Sequence, residues 1–223
     1  MTQQETVRTQ LTRGRVLEGA VALADEIGIE ALTIRRLAVA LGVKPMTIYH
    51  YVDGKEQILD GMVDLVFDQI DLPPADTGWK PAIRMRCVSA REVLNRHPWA
   101  APLMEGRTSP GPATLRHHDA VIACFRRGGL SLQLTAHAYA MVDAFVYGFA
   151  LQEASLPFGG SEEIGELAEQ IVSALPADEY PALVEFTRYQ VLQPGYSFGK
   201  SFDFVLDLIL DGIEQAASSG VAD

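Results

Sequence analysis

The sequence predicts an all-α protein built from two helical parts. Apolar side chains recur at three- and four-residue spacing along most of its 223 residues, which indicates helices that each bury one face. No segment alternates convincingly between apolar and polar residues as a half-buried strand would. A proline-rich stretch, DLPPADTGWKP, interrupts the helical pattern after residue 70. We therefore place the two parts at residues 1–70 and 71–223.

The first part is expected to contain three short helices and a longer fourth. Gly28 and Gly42 are placed to end the first two, and Thr33 to cap the start of the second. Pro45 suits the first turn of a brief third helix that reaches about Tyr51, because a first turn does not need the missing N–H.

The fourth helix is expected between Lys55 and Ile70, where it joins the two parts. Asp53 and Glu56 stand three residues apart at its start, which is the spacing of a capping box. The second part is expected to contain six further helices separated by glycine- or proline-rich breaks, with one short turn near Trp99. These helices cover about residues 81–96, 112–127, 131–155, 162–174, 178–192 and 201–215.

The composition, 48% hydrophobic and 21% charged, is that of an ordinary folded protein. No apolar run approaches the roughly 18 residues of a membrane span, and the polar first ten residues contain no signal-peptide core. Cys87 and Cys124 lie in separate apolar patterns without metal-type spacing, so we expect buried thiols. The sequence therefore predicts a cytoplasmic protein with no membrane contact, resident metal or cofactor.

The net charge of −11 is unevenly distributed along the chain. Residues 1–55 contain seven Lys or Arg and six Asp or Glu, whereas residues 56–223 contain eleven and twenty-three. The acidity belongs to the second part, and it does not exclude a local basic surface in the first.

The stretch LGVKPMTIYHYVDGK, residues 41–55, concentrates hydrogen-bonding side chains around the short third helix. A helix, a tight turn at Gly42 and a second short helix have the spacing of a helix-turn-helix, whose second helix enters the major groove of DNA. Val43 and Ile48 would anchor that helix from behind. Periodicity alone leaves another interpretation open, a three-helix scaffold with a solvated polar helix.

Residues 11–62 resemble the DNA-binding domain of tetracycline-repressor-type (TetR family) transcription regulators. The matching features are the run ALADEIGIEALTIRRLA, then LGV, Tyr49 and the helix start at Lys55. HPWAAPLMEGR, GRTSPGP and RRGGLS resemble, more loosely, the regulatory domain of the tetracycline-repressor subgroup. The resemblance implies a helix-turn-helix DNA-binding domain and a larger helical domain that binds a ligand and dimerises.

The resemblance also implies a set of DNA-contacting residues. Lys44, Pro45 and Met46 would lie nearest the base edges, and Arg35 would reach a guanine with two hydrogen bonds. The remaining residues would contact phosphates or sugars: Thr33, Thr47, Tyr49, His50, Tyr51 and Lys55.

Members of the family are homodimers on palindromic operators, which implies two half-sites about 34 Å apart, or a multiple of that distance. The resemblance places the dimer contacts on the helices near residues 131–155 and 201–215. The alternative for these two helices is an internal core face.

A small-molecule pocket is implied among the helices from Trp79 onward. Its candidate lining residues are mostly polar or aromatic side chains on otherwise apolar faces: Trp99, Met104, His117, Tyr139, Asp143, Tyr147 and Gln152. A buried Asp143 would need a partner, such as Arg126 or a histidine of a neighbouring helix.

Two departures from the subgroup argue against a metal–tetracycline ligand. The histidine expected just before the loop is absent from PLMEGRTSPGP, and the expected acidic residue falls near Gln152 and Glu153. His117 and His118 are adjacent, so on a helix they point about 100° apart and do not share a face. We therefore expect an apolar or aromatic effector.

The sequence thus predicts a ligand-responsive DNA-binding regulator, a repressor released from its operator by a small molecule. One alternative is a dimeric helical binding protein without DNA function. The other is an enzyme with scattered catalytic residues, although the chain contains no phosphate-binding loop, nucleophile elbow or H-E-x-x-H pattern.

Overall fold

The computed structural model describes residues 10–104, 106–156 and 161–220, and within these ranges all regular structure is helical. The first part of the chain forms α1 (Arg13–Ile27), α2 (Ile34–Ala40), α3 (Pro45–Ile48) and α4 (Lys55–Asp68). The second part begins with α5 (Trp79–Arg96), α6 (Ala101–Met104), α7 (Pro112–Arg127) and α8 (Leu132–Ser155). It ends with α9 (Ser161–Ala174), α10 (Pro181–Phe186) and α11 (Ser201–Ser219).

Local signals in the sequence explain how the first helices begin and end. The Thr33 hydroxyl accepts a hydrogen bond from the Arg36 N–H, as an N-cap should. Gly28 ends α1 with a φ of 78°, and Gly42 makes the turn before α3 with a φ of 66°. Both values lie in the left-handed region that glycine adopts without strain. The helix-ending roles predicted for these two glycines are confirmed.

The predicted capping box at the start of α4 is wrong. Gly54 is the N-cap residue and contributes no side-chain bond. Asp53 instead exchanges hydrogen bonds with Gln57: its N–H donates to Gln57 Oε1 at 2.9 Å, and Gln57 Nε2 donates to Asp53 Oδ2 at 3.2 Å. Glu56 does not complete the predicted capping box, because its carboxylate pairs with Arg107 instead.

The helices α1 to α4 enclose a small apolar core. Val16, Leu37, Ile48 and Met62 are fully buried there. At Gly61 the backbone of α4 approaches α1 so closely that an added Cβ would overlap the Leu17 side chain. This contact fixes α1 against α4 and so sets the position of the shorter helices.

In the second part, α8 packs against α5, α7 and α11. By length and composition alone α8 is apolar enough to cross a membrane, which the sequence reading did not anticipate, but half of its most apolar stretch is buried inside the protein. It is therefore read as a core helix. Cys87 and Cys124 are buried free thiols, as predicted.

The segment predicted as one helix over residues 178–192 divides in two. α10 begins only at Pro181, and residues Thr187–Val191 form a π-helical turn. The Thr187 hydroxyl donates back to the Leu183 carbonyl at 2.8 Å, a bond of the kind that bends helices. Among the described residues, α9, α10 and this turn pack chiefly against one another.

Candidate DNA-binding surface and buried polar cluster

The third helix has one buried anchor and an exposed outer face. Ile48 is fully buried, whereas Met46 is 72% exposed and Tyr49 46% exposed. Lys44, which precedes the helix, and the remaining outward residues Pro45 and His50 are also exposed. α3 therefore presents its side chains as a groove-entering helix must.

The flanks of α3 contribute the remaining predicted DNA-contacting residues. Thr33, Arg35 and Lys55 are exposed at the starts of α2 and α4, where backbone N–H groups are also available to phosphates. Thr47 and Tyr51 are only partly exposed.

The charge of this surface differs from that of the whole chain. Residues 31–52 contain three Lys or Arg and no Asp or Glu. The surface formed by α2 and α3 is therefore locally basic on an acidic protein, which is the distribution that phosphate contact requires.

A row of four carboxylates on α4 faces the second part of the chain. They are spaced four residues apart, so they follow one side of the helix: Glu56, Asp60, Asp64 and Asp68. Arg107 pairs with the first two, at 2.6 Å from Glu56 and 2.7 Å from Asp60. Arg116 on α7 lies 2.8 Å from Asp68.

Asp64 makes a partly buried contact within this row. Its Oδ1 accepts from both the backbone N–H and the hydroxyl of Thr114, at 2.8 and 2.9 Å. The carboxylate thereby caps the first turn of α7. This row was not predicted, although its four-residue spacing is visible in the sequence.

A second contact joins α1 to the segment between α5 and α6. Asp25 Oδ1 lies 2.8 Å from His97 Nδ1 and accepts from Trp99 Nε1 at 2.6 Å. His97 Nε2 also lies 3.2 Å from Gln69 Oε1, just after α4. Trp99, predicted to line a ligand pocket, directs its one polar atom toward the DNA-binding part instead.

Four polar side chains form a buried cluster where α5, α7 and α8 meet. Arg86 Nε donates to His117 Nε2 at 2.8 Å, and Arg86 Nη1 lies 2.7 Å from Asp143 Oδ1. Tyr147 completes the cluster, with its hydroxyl 3.5 Å from Arg86 Nη2. Arg86 and His117 are fully buried and Asp143 is 4% exposed.

The protonation of the cluster follows from its burial. Burial, then the electrostatic effects of Arg86 and His118, lower the pKa of His117 from 6.5 to about 3, so this imidazole is neutral. Burial alone would lower the pKa of Arg86. Neighbouring groups, first among them the Asp143 carboxylate, together outweigh burial, so the pKa of Arg86 is raised. Burial also raises the pKa of the Tyr147 hydroxyl. The cluster is therefore one ion pair with two neutral partners, and its net charge is zero.

Two hydrogen-bonding atoms of the cluster have no partner. His117 Nδ1 and Asp143 Oδ2 are buried without a hydrogen bond. Asp143 Oδ1 is occupied by its ion pair with Arg86 Nη1. Unsatisfied buried polar atoms of this kind cost about 1–3 kcal/mol each.

Comparison with known proteins identifies the family. Residues 16–62 match the family described as "Bacterial regulatory proteins, tetR family", and residues 72–217 match "Tetracyclin repressor-like, C-terminal domain". The chain belongs to the TetR family. It is a ligand-responsive transcriptional regulator, and the TetR family consists of soluble DNA-binding proteins that are typically not enzymes.

Relatives within the TetR family resemble the chain along most of its length. The transcriptional repressor DrrR1 of Streptomyces coeruleorubidus is 32% identical over 216 residues, 92% of this chain and 77% of the relative. The class D tetracycline repressor of Escherichia coli is 30% identical over 147 residues, 65% of this chain and 67% of the relative. The TetR family protein ActR of Streptomyces coelicolor, solved in complex with actinorhodin, superposes with a TM-score of 0.77 at 26% identity, over 94% of this chain and 99% of that one.

The structure brings together only some of the ligand-contacting residues predicted for this TetR-family chain. His117, Asp143 and Tyr147 meet in the buried cluster. Tyr139 lies beside it, with its hydroxyl 2.6 Å from His118 Nδ1. Met104 is buried on α6, and Gln152 is exposed on α8 away from the cluster.

The partner suggested for Asp143 needs correction. Arg126 donates to the carbonyl of Leu130 and does not reach Asp143; the cation beside Asp143 is Arg86. A signal for Arg86 exists in the sequence, because it falls on the same buried face of α5 as Ile83 and Ala90. An arginine in an apolar stripe requires a buried anionic partner.

Glu153, near the position of the subgroup's acidic ligand residue, is engaged within the chain. Arg91 binds it with two hydrogen bonds of 2.5 and 2.9 Å. The hydrogen bond from Arg91 lowers the pKa of Glu153. The same guanidinium stacks over the rings of Phe149 and Phe202 at 5.1 and 4.7 Å. Within the described part of the chain, no group of three His, Cys, Asp or Glu side chains is arranged to hold a metal ion.

An apolar groove of about 430 Å³ runs between α8 and α11 on the outside of the protomer. Met141 on α8 and Leu208 on α11 line it, and both are at least half exposed. Phe204, one turn before Leu208, is 68% exposed. Large exposed apolar side chains grouped in this way are typical of interaction surfaces and ligand-binding grooves.

Proposed function

We propose that this regulator is a cytoplasmic repressor whose homodimer binds a palindromic operator and is released by a small apolar or aromatic molecule. The observation that carries the proposal is the pairing of an exposed, acid-free helix-turn-helix surface with a second part that holds a buried polar cluster. DrrR1, a repressor, and ActR, solved with actinorhodin, support the same combination of functions.

The ten predicted residues are proposed as the DNA-contacting set. Lys44, Pro45 and Met46 face the base edges at the start of α3, and Arg35 reaches in from α2. The exposed apolar side chain of Met46 favours contact with a thymine methyl over a polar base edge. Thr33, Tyr49, His50 and Lys55 meet the backbone, and the partly exposed Thr47 and Tyr51 complete the contacts.

The dimer is proposed to form through the groove between α8 and α11. Each protomer would add two helices to a four-helix bundle, and the exposed apolar side chains of one copy would fill the groove of the other. A two-fold axis through this bundle would place the two α3 helices on the same side of the dimer, about 34 Å or a multiple apart.

The release mechanism follows from the contacts of α4. Phe67 on this helix packs against the His117 ring at a centroid distance of 5.2 Å, and the row of carboxylates fixes α4 to α7. An effector that binds better to one arrangement of α7 would therefore shift α4 as well. Because α4 also packs on α1, its shift would change the separation of the two α3 helices and lower the affinity for DNA.

The proposal is tested by measuring operator affinity over a range of salt concentrations. The DNA upstream of the chain's own coding sequence is the first probe, followed by selection from a random pool. The double variant Lys44→Ala/Tyr49→Ala should lose at least about 30-fold in affinity, and the slope of affinity against salt should become shallower. Arg127→Ala removes one exposed positive charge at the end of α7 and serves as the matched control. Operator binding that is the same in all three proteins would refute the assigned surface.

A further inference from the structure

The unpartnered atoms of the buried cluster define what the effector must offer, provided that the proposed function holds. Arg86 Nε carries a hydrogen and donates it to His117 Nε2 at 2.8 Å. His117 is neutral, so its single hydrogen must be on Nδ1. His117 therefore presents a buried N–H donor with no acceptor, because Nδ1 has no partner.

Asp143 presents the complementary requirement. Its Oδ1 is paired with Arg86 Nη1 at 2.7 Å, whereas its Oδ2 accepts no hydrogen bond although the residue is only 4% exposed. A buried carboxylate of this kind has room for further donors. The cluster thus offers one acceptor group on α8 and one donor group on α7.

The charge of the cluster limits the effector further. Arg86 and Asp143 cancel one another, and His117 and Tyr147 are neutral. A charged group brought into this site would lose its hydration without gaining an unpaired opposite charge. A neutral group would not incur this loss.

We infer that the effector is an uncharged aromatic molecule with a hydroxyl that donates to Asp143 and a carbonyl that accepts from His117 Nδ1. The Phe67 ring, on α4, lies 5.2 Å from the His117 ring, and the His118 ring lies 6.1 Å from it (centroid distances). The carbonyl therefore binds to the residue that contacts α4. This makes His117 the point at which effector binding reaches the DNA-binding part.

The probe for this inference is 2,6-dihydroxyanthraquinone, used at a pH low enough to keep its hydroxyls protonated. Its matched partner is 2,6-dimethoxyanthraquinone, which keeps the ring and the carbonyls but has no donor. Affinities are measured for the full-length protein by calorimetry or fluorescence quenching. The wild-type protein should bind the dihydroxy compound at least about tenfold more tightly, because a hydrogen bond to a charged group is lost in the ether.

Two variants locate this preference within the protein. Arg86→Met/Asp143→Leu removes both members of the ion pair together, which a fold tolerates better than the loss of one. This variant should bind the two compounds equally. Thr135→Val is the control, because it removes another buried unpartnered hydroxyl from α8 outside the cluster, and it should keep the wild-type preference. Circular dichroism and a thermal melt establish that each variant is folded.

The outcomes separate this inference from the proposed function. If the wild-type protein binds neither compound, binds both equally, or keeps its preference in the double variant, the inference is overturned while operator binding stands. A crystal structure of the complex with water on Asp143 and His117 Nδ1, in place of the hydroxyl and the carbonyl, would also overturn it. Absence of operator binding, measured without either compound, would refute only the regulator on which the inference depends.

Discussion

Trp99 donates its indole N–H to Asp25 Oδ1 across 2.6 Å, and this bond joins α1 directly to the second part of the chain. The same oxygen lies 2.8 Å from His97 Nδ1. The carboxylates of α4 and Gln69, which contacts His97 and accepts from Arg96, form further polar contacts between the parts. Specific hydrogen bonds thus add to the packing of α4 on α7 in joining the two parts.

Replacing Trp99 by Phe should lower the free energy of unfolding by at least about 1–2 kcal/mol, because one hydrogen bond to a carboxylate is lost and the smaller ring leaves a cavity at this buried site. Urea unfolding followed by circular dichroism measures this change. Tyr189→Phe is the control, since Tyr189 is 75% exposed and should leave stability unchanged. Equal stability of the Trp99 variant and the wild type would show that the bond contributes nothing.

The carboxylates of α4 should differ in their contributions. Asp64→Asn removes the charge from two hydrogen bonds and should cost about 1.5–3 kcal/mol of stability. Asp68→Asn should cost less than about 0.5 kcal/mol, since exposed ion pairs contribute little and both members of its pair with Arg116 are about 60% exposed. Unfolding by denaturant compares the two, and an equal cost for both variants would contradict this ranking.

Gly111 provides an independent test of the Asp64 contact. A Cβ at this position would overlap the Asp64 carboxylate, so Gly111→Ala should displace the same hydrogen bonds. We expect a loss of stability similar to that of Asp64→Asn, and little further loss when the two changes are combined, because they act on one contact. Fully additive losses in denaturant unfolding would count against a shared cause.

Stability should fall with acid in a range set by His117. Its pKa is 6.5 in the unfolded chain and about 3 in the folded protein, so between these values only the unfolded chain takes up the proton. Its contribution is therefore complete above pH 6.5 and decreases as the pH falls toward 3, by at most about 1.4 kcal/mol per pH unit.

Urea unfolding at a series of pH values from about 8 to 5 measures the slope. The range stays above the region where Glu153, whose pKa is lowered from 4.5, begins to contribute. His117→Gln keeps an acceptor for Arg86 but cannot titrate, so its stability should depend less on pH. Parallel curves for the two proteins would show that His117 does not contribute.

Arg35 and Arg36 should differ in their effect on DNA binding. Arg36 donates to the Ala31 carbonyl at 3.1 Å within its own domain, whereas Arg35 is proposed to contact a guanine. Arg35→Ala should weaken operator binding by about 1–3 kcal/mol and relax specificity at one base pair. Binding to a set of single-substituted operators measures both effects; a larger effect of Arg36→Ala would reverse the assignment.

The groove between α8 and α11 should control assembly. Leu208→Asp places a charge in an apolar surface and should convert the proposed dimer to monomers, because the charge would lose its hydration on burial. Met85→Asp is the control, since Met85 is equally exposed at 55% but lies on α5. Analytical ultracentrifugation distinguishes the species, and a dimeric Leu208→Asp variant would exclude this face as the interface.

The sequence predicted those features that depend on neighbouring residues. The end of α1 at Gly28, the start of α3 at Pro45 and the cap at Thr33 all follow from local chemistry, and the family was evident from the pattern around α3. The capping box at Asp53 failed because Arg107, about fifty residues further along, attracts Glu56.

Contacts between distant segments could not be read from the sequence. Arg86 and Asp143 are more than fifty residues apart, and so are Arg91 and Glu153. Helical periodicity shows which face of a helix is buried, but not which residue of another helix lies opposite. The sequence shows that these charged side chains fall on buried faces of helices. Only the structure shows which of them form pairs.

The absence of acidic residues from 31 to 52 affects how the protein moves among chromosomal sites. In most orientations a collision brings the acidic second part of the protein toward the negatively charged DNA, and the two molecules repel each other. Only an approach with α3 leading gains attraction, so we expect short stays on unrelated sequences and a search that proceeds mainly through solution.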